Sequence, residues 1–138
     1  MKERKQLDIT DLIASIQDRV RTGTGMKCLD HVGKNEKSPF YYAVFNGDVP
    51  VNSKTMYVKD YNVLIHVISE PSDSSVPVYG YIRKLQEAMS EDIALPEGFT
   101  LVMQTDNGVR SIKTDETNEK HAVCAYTFRV SYGFKCKV

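Results

Sequence analysis

Residues 60–69, Asp-Tyr-Asn-Val-Leu-Ile-His-Val-Ile-Ser, constrain the fold more than any other stretch of the chain. Tyr61, Val63, Leu64, Ile65, Val67 and Ile68 crowd into a run free of Gly and Pro, and Pro71 with its serine and aspartate neighbours stops it. Such a run reads as a strand. The period of two puts Tyr61, Val63, Ile65 and Val67 on one face and Asn62, Leu64, His66 and Ile68 on the other, so both faces are at least partly covered. An edge strand would carry more charge, which places this one inside a sheet.

The segments around it follow from pattern. Ile9, Leu12, Ile13, Ile16 and Val20 recur on one helical face, with Asp8 or Thr10 as cap and Gly23 and Gly25 as stop. Residues 26–39 are ambiguous, and 33–38 read as a loop. Residues 40–45, Phe-Tyr-Tyr-Ala-Val-Phe, are strand formers closed by the turn chemistry of Asn46-Gly47-Asp48. A protruding polar loop is expected over about 46–55. Beyond Ser72–Ser75, with Pro77 tolerated in the first turn, Val78, Ile82, Leu85 and Met89 make a second apolar helical stripe. Residues 99–103 form a third strand before Asp106-Asn107-Gly108, and 106–120 read as a second exposed loop. The last strand alternates most clearly: Ala122, Cys124, Tyr126, Phe128, Val130, Tyr132 and Phe134 share one face, Val123, Ala125, Thr127, Arg129 and Ser131 the other. The expected fold is α+β, a four-stranded mainly antiparallel sheet with two helices packed on it, in the order α-β-β-α-β-β.

A chain of 138 residues is expected to form a single domain, 1–138, with a sizeable core. Lys plus Arg equals Asp plus Glu at 18 each, which removes the broad electrostatic argument for nucleic acid or an anionic membrane. No apolar run has membrane-spanning length, and the N-terminal residues lack the apolar core of a secretory signal, so a soluble cytoplasmic protein is expected. Cys28, Cys124 and Cys136 are odd in number and widely spaced, which favours reduced thiols.

Chemistry-bearing patterns are sparse. His121 and Cys124 resemble half of a metal site, but no second Cys/His pair accompanies them, so Cys124 reads as a core residue, His121 as the solvated start of a strand, and His66 as a strand histidine bonded to a neighbour. Gly23-Thr24-Gly25 follows a helix instead of opening one, and no Gly-x-Ser-x-Gly is present. Asp115, Glu116 and Glu119 lack the ligand spacing of a calcium loop. No catalytic, metal or cofactor residues are assigned; an enzyme would have only His66, His121 and Cys124 to draw on. Eight tyrosines without a tryptophan suit sheet faces that are half buried or buried only on assembly.

In order and spacing these segments resemble the tail terminator, or tail-to-head joining, proteins of long-tailed bacteriophages with non-contractile tails. The similarity runs through residues 38–45, 61–69, 78–89, 98–102 and 121–130. It implies a structural role with no cofactor: a ring, commonly a hexamer, that caps the tail tube, halts its growth and offers the surface to which the head connector docks. The implied partners are further copies of the chain, the tube protein and the head-completion protein; DNA would pass through without specific binding. The implied location is the bacterial host cytoplasm during assembly and then the virion tail. Sheet edges and the two long loops are expected to form the ring contacts, with Tyr41, Tyr57 and Tyr61 as anchors and Asp48, Val49, Asn52 and Lys54 beside them. The rival reading is a small-ligand or regulatory binding domain that uses the open face of the sheet.

Overall fold

The computed structural model describes residues 5–135. Helix α1 (Ile9–Thr24) begins where the Asp8 carboxylate accepts the Thr10 N–H at 2.9 Å and buries Leu12, Ile16 and Val20. It runs through Gly23 and stops at Gly25, whose φ of 73° lets its N–H return to the Arg21 carbonyl. Of the two glycines expected to end the helix, Gly25 does so; Gly23 has a different task, taken up below.

The ambiguous stretch contains a strand. β1 (Cys28–Leu29) pairs in parallel with β2 (Phe40–Val51), so the sheet has five strands and is mixed, not four-stranded and antiparallel. Two residues are too few for any periodic signal. β3 (Met56–Ile68) is the central strand, hydrogen-bonded to β2 on one side and to β5 (Lys120–Phe134) on the other. Between β3 and the outer strand β4 (Thr100–Thr114) the chain crosses through α2 (Val76–Ala88), and β5 then returns antiparallel into the gap, giving the order β1-β2-β3-β5-β4.

Both expected long loops are largely strand. β2 continues to Val51, pairing Asp48 with Tyr61 and Val51 with Val58, and leaves only residues 52–55 as the connection to β3. Asn46-Gly47 forms a bulge, with Gly47 at a φ of 98°, where turn chemistry suggested the strand would end. Pro50 is compatible with this because that half of β2 has a neighbour on one side only. β4 likewise carries on past Asp106-Asn107-Gly108, again as a bulge, to Thr114. The true turn is 115–119, where the Asp115 carboxylate accepts the Thr117 and Glu119 N–H groups at 2.9 and 3.0 Å.

Both helices lie on one face of the sheet. Tyr61, Val63, Ile65 and Val67 of β3 and Ala122, Cys124, Tyr126, Phe128 and Val130 of β5 point into this layer, as the alternation requires, and meet Leu12, Ile16 and Val20 of α1 and Val78, Ile82 and Leu85 of α2. Among the described residues no helix lies on the opposite face of the sheet.

Candidate interaction surface

That open face is built from the residues out of phase with the core. Three strands contribute to an aromatic cluster on it: Tyr42 from β2, His66 from β3 and His121 from β5. The Tyr42 and His66 rings stack at 4.3 Å and 9°, a cross-strand pair set by their register. His66 Nδ1 lies 2.7 Å from His121 Nε2, and the Tyr42 hydroxyl lies 3.5 Å from the same His121 nitrogen. Burial pushes His66 down to about 4, with the neighbouring His121 adding to the effect; burial lowers His121 as well, against the opposing pull of Asp115. Both imidazoles are therefore neutral at pH 7, and one donates to the other.

Next along the face lies a polar row. Thr127 donates to Asn62 at 2.8 Å and accepts from Asn107 at 2.7 Å, linking β3, β5 and the bulge of β4. One strand pair further, Arg129 binds both oxygens of Asp60, at 2.8 and 3.1 Å. Two shallow depressions of about 300 Å³ open on this face. One, of 310 Å³, is lined by Asn46, Asn62, Leu64, Asn107 and Arg110; the other, of 300 Å³, lies at the histidine end between Phe40, Tyr42, Ile68, Asp115, Glu119 and His121.

Of the residues expected to make contacts, Tyr41 and Tyr61 belong to the core. Their hydroxyls donate to the Tyr81 and Leu7 carbonyls, and they face the helices because they share the phase of Ala43 and Val63. Asp48, Val49, Asn52, Lys54 and Tyr57 gather instead at the β2–β3 hairpin end. Val49 is 54% exposed, Asp48 pairs with Lys59 at 3.1 Å, and the Tyr57 ring lies between Tyr132 and the Lys135 ammonium, 5.8 and 5.5 Å from its centre. Asn52 and Lys54 line a further depression with Ser53 and Lys135.

Cys124 is a buried core thiol pushed up to about 11 by burial, and Cys28 is likewise raised to about 12, so neither is poised as a nucleophile. Cys136 lies outside the described residues. Among the described residues no group of three or more His, Cys, Asp and Glu side chains is placed to hold a metal ion, and no helix is long and apolar enough to cross a membrane. Pattern reasoning missed Tyr42, Asn62, Asn107 and the Asp60–Arg129 pair. The alternation of both central strands contains their phase, but only the strand register brings them together.

The fold is similar to that of a chain from the virion of a native gene transfer agent (GTA) particle, with a TM-score of 0.67 over 89% of this chain and 96% of that one, at 14% identity. No curated protein matches the sequence. A phage tail terminator family model, described as "Putative tail termination protein", matches residues 3–138. The chain therefore belongs to the phage tail terminator family and is a structural protein of phage-type tails.

Proposed function

We propose that this chain forms a closed ring of about six identical copies at the end of a tail tube, where it stops tube growth and presents the docking surface for the head connector. The observation that carries this reading is the family match over nearly the whole chain. The sheet supports it in a second way. Its two sides end differently, in the exposed half of β2 with Val44 and Val49 and in the long, bulged β4 with Val102, Met103, Val109 and Ile112, all of them exposed. Unlike edges favour a head-to-tail contact, and a head-to-tail contact that closes gives a ring. Bulges on β4 and Pro50 on β2 protect against unlimited strand addition, so side chains carry the contact.

The hairpin end bearing Asp48, Val49, Asn52, Lys54 and Tyr57 is the contact surface in this reading, with Tyr61, opposite Asp48, supporting it from the core; Tyr41, opposite Val67 at the far end of β2, takes no part in it. Assembly takes place in the bacterial cytoplasm on the tube protein, followed by the head-completion protein, and DNA passes through the lumen without specific recognition. The rival reading, a small-ligand domain, draws on depressions at the lower end of the range for ligand sites.

The test is solution mass by light scattering, alone and with matching tail tubes. A ring of about six copies at tube ends supports the proposal. A monomer or dimer that ignores tubes overturns it. Val49→Asp and Lys54→Glu, which alter exposed residues and leave the core untouched, should abolish tube binding while the circular dichroism spectrum stays unchanged.

A further inference from the structure

The sequence holds two Asn-Gly dipeptides, Asn46-Gly47 in β2 and Asn107-Gly108 in β4, and both sit in bulges where two residues oppose one. The β2–β3 register steps from Phe45–Val63 to Asp48–Tyr61, and the β4–β5 register from Asp106–Tyr126 to Val109–Cys124. The two glycines have nearly the same φ, 98° and 92°. The bulges differ in how the side chains around them are held. We propose that Asn46 is a site of spontaneous deamidation in the folded protein and that Asn107 is protected from it.

The reaction uses two groups of one dipeptide. The glycine backbone nitrogen gives up its proton and attacks the asparagine Cγ; the Cγ–Nδ2 bond breaks, ammonia leaves and a five-membered succinimide remains. Water then opens the succinimide to aspartate or isoaspartate, with no oxidant or reductant involved. Glycine, having no Cβ, leaves its nitrogen open to this attack. At the β4 bulge both groups are tied. Asn107 Nδ2 donates to the Thr127 hydroxyl at 2.7 Å, and the Gly108 N–H donates to the Asp106 carboxylate at 2.7 Å, a charge-assisted bond that opposes loss of the proton. At the β2 bulge the Asn46 side chain takes part in no hydrogen bond among the described residues, and Phe45, in the place of Asp106, has no acceptor to offer Gly47. Asn46 is exposed and lines the 310 Å³ depression, so water reaches the succinimide.

Isoaspartate carries the main chain through Cβ and Cγ, which lengthens β2 at the bulge and disturbs the pairing from Asp48 to Val51. On the ring reading above, that segment bears Val49 of the contact surface, so aged free chains lose their competence to assemble; the chemistry itself does not depend on that reading.

The test is peptide mapping by mass spectrometry of the untagged full-length protein, held in mildly alkaline buffer made with heavy-oxygen water, folded and in urea. In the folded protein Asn46 is expected to convert roughly tenfold or more faster than Asn107, which must first break two hydrogen bonds, and in urea the gap should largely close. Asp106→Ala, a change at an exposed residue, should raise the Asn107 rate severalfold and leave that of Asn46 as it was. Folded Asn107 converting as fast as folded Asn46 overturns the proposal, as does a folded Asn46 that stays intact while its unfolded counterpart converts. Mass alone reads the site, so a failure of the ring reading leaves this result standing.

Discussion

Gly23 of α1 stands so close to Ala88 of α2 that a Cβ built on the glycine would lie 2.4 Å from the Ala88 Cβ and 2.8 Å from its Cα. A glycine inside a helix ordinarily costs up to about 1 kcal/mol against alanine, yet here, in the last turn of α1, it permits a close approach of the two helices that cover the sheet. Gly23→Ala gains that propensity and must push α2 away. The balance is expected to be a net loss of about 1–2 kcal/mol, since overpacking of this kind typically costs ~1–3 kcal/mol and the clash includes backbone. Ala88→Gly in the same chain should recover part of the loss, a coupling that a double-mutant cycle in urea would measure.

Two buried tyrosines, one residue type in one core, should respond oppositely to loss of the hydroxyl. Tyr41 donates to the Tyr81 carbonyl at 2.7 Å, whereas the Tyr126 hydroxyl is buried with no hydrogen-bond partner among the described residues. Tyr41→Phe is expected to cost about 1 kcal/mol, since a part-buried hydrogen bond from β2 to the α2 backbone is lost. Tyr126→Phe removes an unpaid desolvation and should be neutral or stabilising by up to about 1 kcal/mol. Chemical denaturation of both variants checks the contrast, and equal losses would contradict it.

Acid should loosen the open face before it unfolds the core. His66 is held down to about 4 in the fold and titrates near 6.5 when unfolded, so its contribution to stability is complete above pH 6.5 and is lost as the pH falls toward 4. His121 is shifted in the same direction, and the two nitrogens cannot both carry a proton while they face each other at 2.7 Å. Allowing for solvent screening of a half-exposed pair, the loss over that window is expected to be about 1–2 kcal/mol. Thermal melts from pH 7 to 4 should fall less steeply for His66→Gln than for the wild type.

The sequence speaks clearly where burial is one-sided and regular. The Leu12, Ile16 and Val20 stripe of α1 and the alternation from Ala122 to Val130 both appear in the core as their periods require. It speaks poorly at the sheet's margins. β4 is an outer strand, polar on much of both faces, and Asp106-Asn107-Gly108 uses residues that serve a bulge as well as a turn. Gly47 misleads in the same way. At the histidine cluster the phases are legible, since His66 alternates with the core residues of its strand and His121 falls in step with Val123. The contact between residues 55 apart depends on register, which the pairing of Ile68 with His121 fixes and no local pattern encodes.

Gln104 shows how the outer strand is secured despite its exposure. Its amide donates to the Met89 and Glu91 carbonyls, both at 2.9 Å, and its carbonyl accepts the Ile93 N–H at 3.0 Å, so one side chain on β4 satisfies three backbone groups of the segment leaving α2. That segment carries Met89 and Ile93 into the core, which couples these bonds to the packing of α2. Gln104→Ala removes all three at once, two of them part-buried and one exposed, and is expected to cost about 2 kcal/mol. Gln104→Glu keeps the acceptor but sets a carboxylate against two carbonyls, and should be at least as harmful. Amide hydrogen exchange discriminates further: protection should fall first at Ile93 and along β4, while β3 and β5 keep theirs. Uniform loss across the sheet would mean that Gln104 supports the whole core and not this one junction.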